Sequence, residues 1–177
     1  GSNPDVLLIV NQSTVSDEVQ NWLSLFHKLG LSHEVWDISL HGGLPLDQLS
    51  PRSHGKLIIC LVNSLELPNR ETASSVDFLD YEQFRRAVSR EGVSFYLVGE
   101  RNSVLEHLVP QPGDSREFGS PEEYMESLSG DLRANPEVPG AVTQYLDKIV
   151  LGAGDLDKLA HKMLADLEAR YPQRRFL

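Results

Sequence analysis

Three short apolar runs predict the buried strands of a parallel sheet. They span residues 6–10, 57–62 and 93–98 and are apolar at nearly every position. A strand that is apolar on both faces needs a layer of helices on each side, which is the arrangement of a covered parallel sheet. We therefore expect these three segments to form the centre of the sheet.

Other patterns predict the elements around these strands. The apolar spacing over residues 19–29 predicts an amphipathic helix, with Thr14 or Ser16 as its N-cap and Gly30 at its C′ position. Residues 33–38 alternate polar and apolar side chains, as a half-buried edge strand does. A second helix is expected over residues 80–90, and residues 65–75 between the strands are expected to be irregular.

The order of these elements is strand, helix, strand, strand, helix, strand. It predicts an α/β fold with a doubly wound, mainly parallel sheet, either Rossmann-like or flavodoxin-like. Because no clear helix separates the second and third strands, an antiparallel pairing of those two strands stays open.

The C-terminal third of the chain is expected to be helical. Residues 102–171 are interpreted as a helical extension packed on the sheet-forming half, residues 3–100, so that residues 3–177 make a single domain. Within this extension, residues 142–150 are predicted to form a helix with Val142, Tyr145 and Leu146 facing inward.

Both ends suggest a domain taken from a larger protein. Gly1 and Ser2 resemble the scar of a cleaved tag and are excluded from the fold. Pro172 ends the last predicted helix, and Phe176 and Leu177 would suit the start of a strand that the chain does not complete. We therefore expect partners among the other domains of a parent protein.

Charge and composition narrow the classes of partner. The 177 residues are 40% apolar and carry 16 basic against 26 acidic side chains, a net charge of −10. An acidic surface repels phosphate backbones, so nucleic acid is not an expected partner. No apolar run reaches the ~20 residues that cross a bilayer, and no signal peptide opens the chain, so we expect a soluble cytoplasmic protein without a membrane partner.

Half of the net charge lies in one segment. Residues 114–137 contain seven acidic side chains and two arginines, a net charge of −5. A solvated helix face explains this segment, and a basic protein partner is the alternative.

The motifs of large enzyme families are missing from the sequence. It has no Gly-x-x-x-x-Gly-Lys-Ser/Thr loop, no Gly-x-Gly-x-x-Gly after the first strand and no Gly-x-Ser-x-Gly. The six histidines form no His-Glu-x-x-His or His-x-His pair, so no metal site is predicted. The single cysteine, Cys60, is expected to pack inside its strand. No cofactor can be named.

Polar residues follow three of the predicted strands and form the candidate ligand site. They are Asn11, Ser13, Thr14, Asn63, Glu100, Arg101 and Asn102. Open α/β sheets bind ligands beyond the carboxyl ends of their strands, and a helix N-terminus can receive an anion there. Ordinary helix capping is the favoured explanation of the first of these segments, and a solvated loop is the favoured explanation of Glu100 and Arg101.

The first polar segment carries a short resemblance. Asn11-Gln12-Ser13-Thr14 resembles the hydroxyl-rich phosphate loop of flavodoxins, although the glycine and the additional threonines of that loop are missing here. The resemblance implies a ligand with a phosphate group, such as a flavin nucleotide.

Three functional hypotheses follow. The first is a non-catalytic interaction or assembly domain, in which any small ligand serves regulation; it rests on the missing catalytic motifs. The second is an enzyme module that binds a nucleotide or a flavin through the strand-end loops. The third is a hydrolase with Glu100 as general base. Fold class alone does not separate them, because doubly wound sheets host all three.

Overall fold

The structure is a computed structural model that describes residues 4–44, 57–91, 93–108, 118–130, 142–148 and 153–170. Its strands are β1 (Val6–Val10), β2 (His33–Asp37), β3 (Leu57–Leu61), β4 (Leu65–Glu66), β5 (Thr72–Ala73), β6 (Ser94–Gly99) and β7 (Thr143–Asp147). Its helices are α1 (Ser16–Lys28), α2 (Ile38–His41), α3 (Tyr81–Glu91), α4 (Arg101–His107), α5 (Pro121–Leu128) and α6 (Ala153–Arg170), and a short 3₁₀ helix covers Ser75–Phe78.

Five strands form one parallel sheet in the order β2-β1-β3-β6-β7. Numbered among themselves, these strands run 2-1-3-4-5, which is the flavodoxin-like order rather than the Rossmann order. The predicted doubly wound α/β sheet is therefore confirmed. The second and third strands lie on opposite sides of β1 and parallel to it, so the antiparallel alternative is wrong.

The central strands are covered on both faces, as the apolar runs predicted. β1, β3 and β6 are buried at every position. One face packs on α1 and α6, and the other face packs on α3, α4 and α5. β2 lies at an edge of the sheet, as predicted, but residues 33–35 are all exposed, so burial does not alternate along this strand.

The first helix begins differently from the prediction. Its N-cap residue is Val15, and no side chain caps it, because the Thr14 hydroxyl bonds elsewhere and Ser16 already lies inside the helix. Gly30 follows the C-cap residue with a φ of 68°, as predicted, since glycine adopts this conformation without strain.

The helix predicted over residues 142–150 is wrong within the described residues. Thr143–Asp147 form β7, which pairs with β6, and the N–H of Phe95 donates to the carbonyl of Val142 at 2.7 Å. The side chains fit a strand because Val142 and Leu146 face the α1 side while Tyr145 faces the other layer. The C-terminal third thus adds a fifth strand to the sheet besides its helices.

Residues 65–75, expected to be irregular, contain a small antiparallel hairpin of β4 and β5 followed by the 3₁₀ helix. In the hairpin turn, the N–H of Arg70 donates to the carbonyl of Leu67 at 2.9 Å, and Arg70 has a φ of 66°. None of the described helices combines the length and apolar character that crossing a membrane requires. The strand predicted to start at Phe176 lies outside the described residues.

Candidate functional site

Asn11 is the centre of a hydrogen-bonded cluster at the carboxyl ends of β1 and β3. Its side chain is almost fully buried, at 2% exposure. Its Nδ2 donates to the carbonyl of Asn63 at 2.7 Å and to the hydroxyl of Ser75 at 3.1 Å, and its Oδ1 accepts from the N–H of Ser13 at 2.8 Å. Both donors and the acceptor of this amide are therefore used inside the protein.

The same cluster contains Thr14 and a residue that sequence patterns did not indicate. The Thr14 hydroxyl accepts from the N–H of Asn11 at 3.1 Å and donates to Oδ1 of Asn63 at 2.7 Å. Ser75, at the start of the 3₁₀ helix, donates to the carbonyl of Leu61 at 3.0 Å. No local signal marks Ser75, because it reaches Asn11 only through the fold, across 64 residues of chain.

The backbone donors of the loop after β1 are occupied. Four successive N–H groups donate at 2.8–3.1 Å. The N–H of Asn11 donates to Thr14 Oγ1, and the N–H of Gln12 donates to Ser39 Oγ. The N–H of Ser13 donates to Asn11 Oδ1, and the N–H of Thr14 donates to the Asn11 carbonyl. A loop that cradles a phosphate needs free N–H groups. The first turn of α1 also carries Asp17, whose charge opposes an anion at that helix end, and Glu18, which is ion-paired with Lys148 at 3.1 Å.

The predicted residues after β6 form a separate group. The Arg101 guanidinium makes two hydrogen bonds to the Glu122 carboxylate, at 2.8 and 3.0 Å. These bonds raise the pKa of Arg101 and lower the pKa of Glu122. Glu100 is the N-cap residue of α4 without a side-chain bond to it, and both Glu100 and Asn102 are exposed. No hydrogen bond within the described residues joins this group to the Asn11 cluster.

Tyr145, on β7, packs beside the Arg101 group. Its hydroxyl donates to the carbonyl of Gly99 at 2.9 Å. Burial, with a smaller contribution from Asp147, raises the pKa of Tyr145 to about 12. The tyrosine is therefore a neutral hydrogen-bond donor at pH 7 and ties β7 to the end of β6.

A cavity of about 660 Å³ opens at the carboxyl edge beside the Asn11 cluster. We call it the carboxyl-edge groove. Its described lining comes from the loop after β1, the start of α2, the β4–β5 hairpin and the 3₁₀ helix: Gln12, Ile38, Ser39, Leu65, Glu66, Leu67, Pro68, Arg70 and Phe78. Of these residues, Gln12 belongs to a polar segment that the sequence singled out after the first strand, and the hairpin residues do not, because residues 65–75 were expected to be irregular.

Two charged side chains of the groove have no ion-pair partner among the described residues. Arg70 and Glu66 are both exposed, and neither makes an ion pair or a side-chain hydrogen bond within the part of the chain that the structure describes. Phe78 is 36% exposed and is one of the few large apolar side chains at the surface. Counting only the residues that the structure describes, the groove thus combines apolar side chains with a cation, Arg70, and an anion, Glu66, that have no ion-pair partner.

A buried histidine lies behind the 3₁₀ helix. Nδ1 of His107 is 2.9 Å from Oδ2 of Asp77, and the same carboxylate accepts from the N–H of Ser74 at 2.7 Å. Nε2 of His107 is buried without a hydrogen-bond partner among the described residues. The pair fastens α4 to the 3₁₀ helix, and no nucleophile contacts it in the described chain.

Neither a search for metal ligands nor the comparison with known proteins identifies a ligand or a family. Among the described residues, no group of three or more His, Cys, Asp or Glu side chains could hold a metal ion. No protein-family model matches the chain, and no curated protein matches its sequence.

Proposed function

We propose that this chain is a non-catalytic α/β domain that acts by binding another polypeptide at the carboxyl-edge groove. One observation carries the proposal. At the edge where open α/β sheets hold their ligands, the polar residues of the Asn11 cluster are engaged with one another, and an open groove lined by both apolar and charged side chains lies beside them.

The same observation gives the nucleotide or flavin alternative less support. Four successive N–H groups after β1 donate within the protein, so a phosphate would have to displace existing bonds. Asp17 in the first turn of α1 adds repulsion of a phosphate. The hydrolase alternative also lacks support, because no described side chain holds Glu100 in a fixed position.

The partner is a protein chain, either another domain of the parent protein or a separate protein. The net charge of −10 disfavours binding to nucleic acid, whose phosphate backbone is also negative. The proposal also places the protein in the cytoplasm, without a membrane partner. The acidic stretch of residues 114–137 is not needed for this role. Two of its carboxylates are already bonded, Glu122 to Arg101 and Glu123 to the N–H of Gly119.

Two measurements test the proposal. In the first, the ¹⁵N-labelled protein is titrated with FMN, ATP and inorganic phosphate while the amide shifts of Gln12, Thr14 and Arg101 are followed. We expect no saturable changes, and saturable binding of FMN or ATP at these amides would overturn the proposal. The absorbance spectrum and the native mass of the purified protein should likewise show no co-purified flavin or nucleotide.

The second measurement asks whether the groove binds polypeptide. A phage-displayed random heptapeptide library is panned on the folded protein, and selected peptides are mapped by amide shifts. We expect enriched peptides that shift Ser39, Glu66 and Phe78. A library without enrichment, or peptides that shift only residues outside the groove, would overturn the proposal.

A further inference from the structure

One wall of the carboxyl-edge groove is the edge of β4 that faces away from β5. The hairpin contributes Leu65 and Glu66 of β4 and the turn that follows, while neither residue of β5 lines the groove. The pairing is Leu65 with Ala73 and Glu66 with Thr72, and the N–H of Leu67 donates to the carbonyl of Glu71 at 2.8 Å.

This register decides where the backbone of Glu66 points. Hydrogen-bonded and non-hydrogen-bonded pairs alternate along an antiparallel ladder. Since residues 67 and 71 are hydrogen-bonded, residues 66 and 72 form a non-hydrogen-bonded pair, and the N–H and C=O of Glu66 point away from β5. No strand of the described chain pairs with β4 on that side, and a strand edge without a partner is a template for another extended chain.

Arg70 supplies a positive charge that would favour extended chains with an acidic side chain. Its φ of 66° is in the left-handed region, which disfavours residues with a Cβ atom, and this hairpin turn type usually has glycine there. The arginine nevertheless holds this position, is exposed and lines the groove with no ion-pair partner in the described chain. Strain of this kind concentrates at functional positions.

We propose that the carboxyl-edge groove binds an extended peptide segment that adds a strand to β4, with an acidic side chain against Arg70 and an apolar side chain against Phe78. Strand addition supplies main-chain hydrogen bonds at Glu66, and alternate side chains of the peptide give the specificity. The proposal rests on the function proposed above and adds the conformation and the chemistry of the partner.

The heptapeptide selection tests this inference in two ways: by the sequences of the selected peptides, and by their affinity for matched variants at Arg70. We expect enrichment of Asp or Glu near β-branched or aromatic residues. The selected peptides should bind Arg70→Gln about tenfold more weakly than the unchanged protein, since one charge-assisted contact is lost, and should bind Arg70→Lys within about threefold. Both variants keep an unbranched side chain in the same strained backbone, so their urea midpoints should agree.

Two further readouts test the strand geometry and the sign of the charge. N-methylation of alternate peptide amides should abolish binding in one register and spare it in the other, because only every second N–H of an added strand faces β4. Glu66→Gln should strengthen or preserve binding of an acidic peptide, because it removes a negative charge from the groove. Added salt should weaken binding to the unchanged protein more than it weakens binding to Arg70→Gln.

The outcomes separate this inference from the proposed function. Enriched peptides that map to the groove but lack acidic residues, or that bind Arg70→Gln as tightly as the unchanged protein, would overturn the inference and leave the binding function intact. Tolerance of N-methylation at every position would overturn strand addition in the same way. Failure to enrich any peptide would overturn both proposals.

Discussion

At the residue scale, the most informative position is Asn11. Its amide joins the loop after β1, the end of β3 and the 3₁₀ helix through three hydrogen bonds in a site with 2% exposure. These bonds hold the three segments together at the carboxyl edge of the sheet. The polar segments lie at the ends of the strands, as the sequence predicted, and their role as a ligand site stays a prediction.

Asn11→Ala should lower the free energy of unfolding by about 2–3 kcal/mol, because the Asn63 carbonyl and the Ser75 hydroxyl lose a bonded partner in a buried site. Urea denaturation measures this change. Gln12→Ala, at the next position and exposed, is the control and should change stability by no more than about 0.5 kcal/mol. Equal effects of the two substitutions would contradict a structural role for Asn11.

Arg70→Gly should raise stability by about 0.5–1 kcal/mol. Glycine removes the strain of the left-handed conformation, and this gain exceeds the extra entropy that glycine has in the unfolded chain. Arg70→Ala, which removes the guanidinium but keeps a Cβ atom, should leave stability nearly unchanged. Thermal melts of the two variants decide the matter. A glycine variant no more stable than the alanine variant would show that this turn carries no strain.

At the scale of elements, the sheet depends on strands that are apolar on both faces. Leu8 and Ile59 are adjacent in register on β1 and β3, and both are fully buried. By contrast, Leu40 in α2 is 76% exposed. The three positions allow the same chemical change to be compared in the core and at the surface.

Leu8→Asp and Ile59→Asp should each unfold the domain, because an unpaired buried charge costs more than a typical stability of ~5–15 kcal/mol can offset. Leu40→Asp is the matched control and should change stability by no more than about 0.5 kcal/mol. Circular dichroism and urea melts provide the measurement. A loss of less than about 1 kcal/mol at Leu8 would mean that β1 does not lie in the core.

β7 shows why one element was predicted as the wrong type. The apolar positions of residues 142–146 fit a helical spacing, and they also place Val142 and Leu146 opposite Tyr145 in a strand. Local periodicity does not choose between these alternatives in so short a segment. The choice comes from the unpaired edge of β6, whose backbone groups gain partners when this segment is extended beside them.

At the scale of the whole molecule, several buried acids stay protonated in the fold. Burial raises the pKa of the Cys60 thiol from 9.0 to about 12. Burial also raises the pKa values of Tyr96 and Tyr124, with the hydrogen bond from the Tyr96 hydroxyl to Asp166 adding to the shift of Tyr96. The unfolded chain releases these protons at lower pH than the folded protein does.

Stability should therefore be constant with respect to these groups below about pH 9 and fall as the pH rises through about 9–12. Each group that ionises only on unfolding contributes a slope of about 1.4 kcal/mol per pH unit. Urea midpoints measured from pH 7 to 11 test this. Cys60→Ala should flatten the decline between about pH 9 and 10, where the thiol titrates before the tyrosines. An unchanged slope in that variant would contradict the assignment to Cys60.

The sequence by itself determined the layers of this molecule. Apolar runs at residues 6–10, 57–62 and 93–98 need cover on both faces, which helical layers provide, and together with the order of strands and helices this predicted the doubly wound class. The tertiary structure decided which groups meet: Ser75 with Asn11, β7 with the edge of β6, and the hairpin with the loop after β1 to form the groove. The physical reason is that a local pattern records which side chains are buried, whereas the partner of a polar group or a strand edge is chosen by contacts between distant parts of the chain.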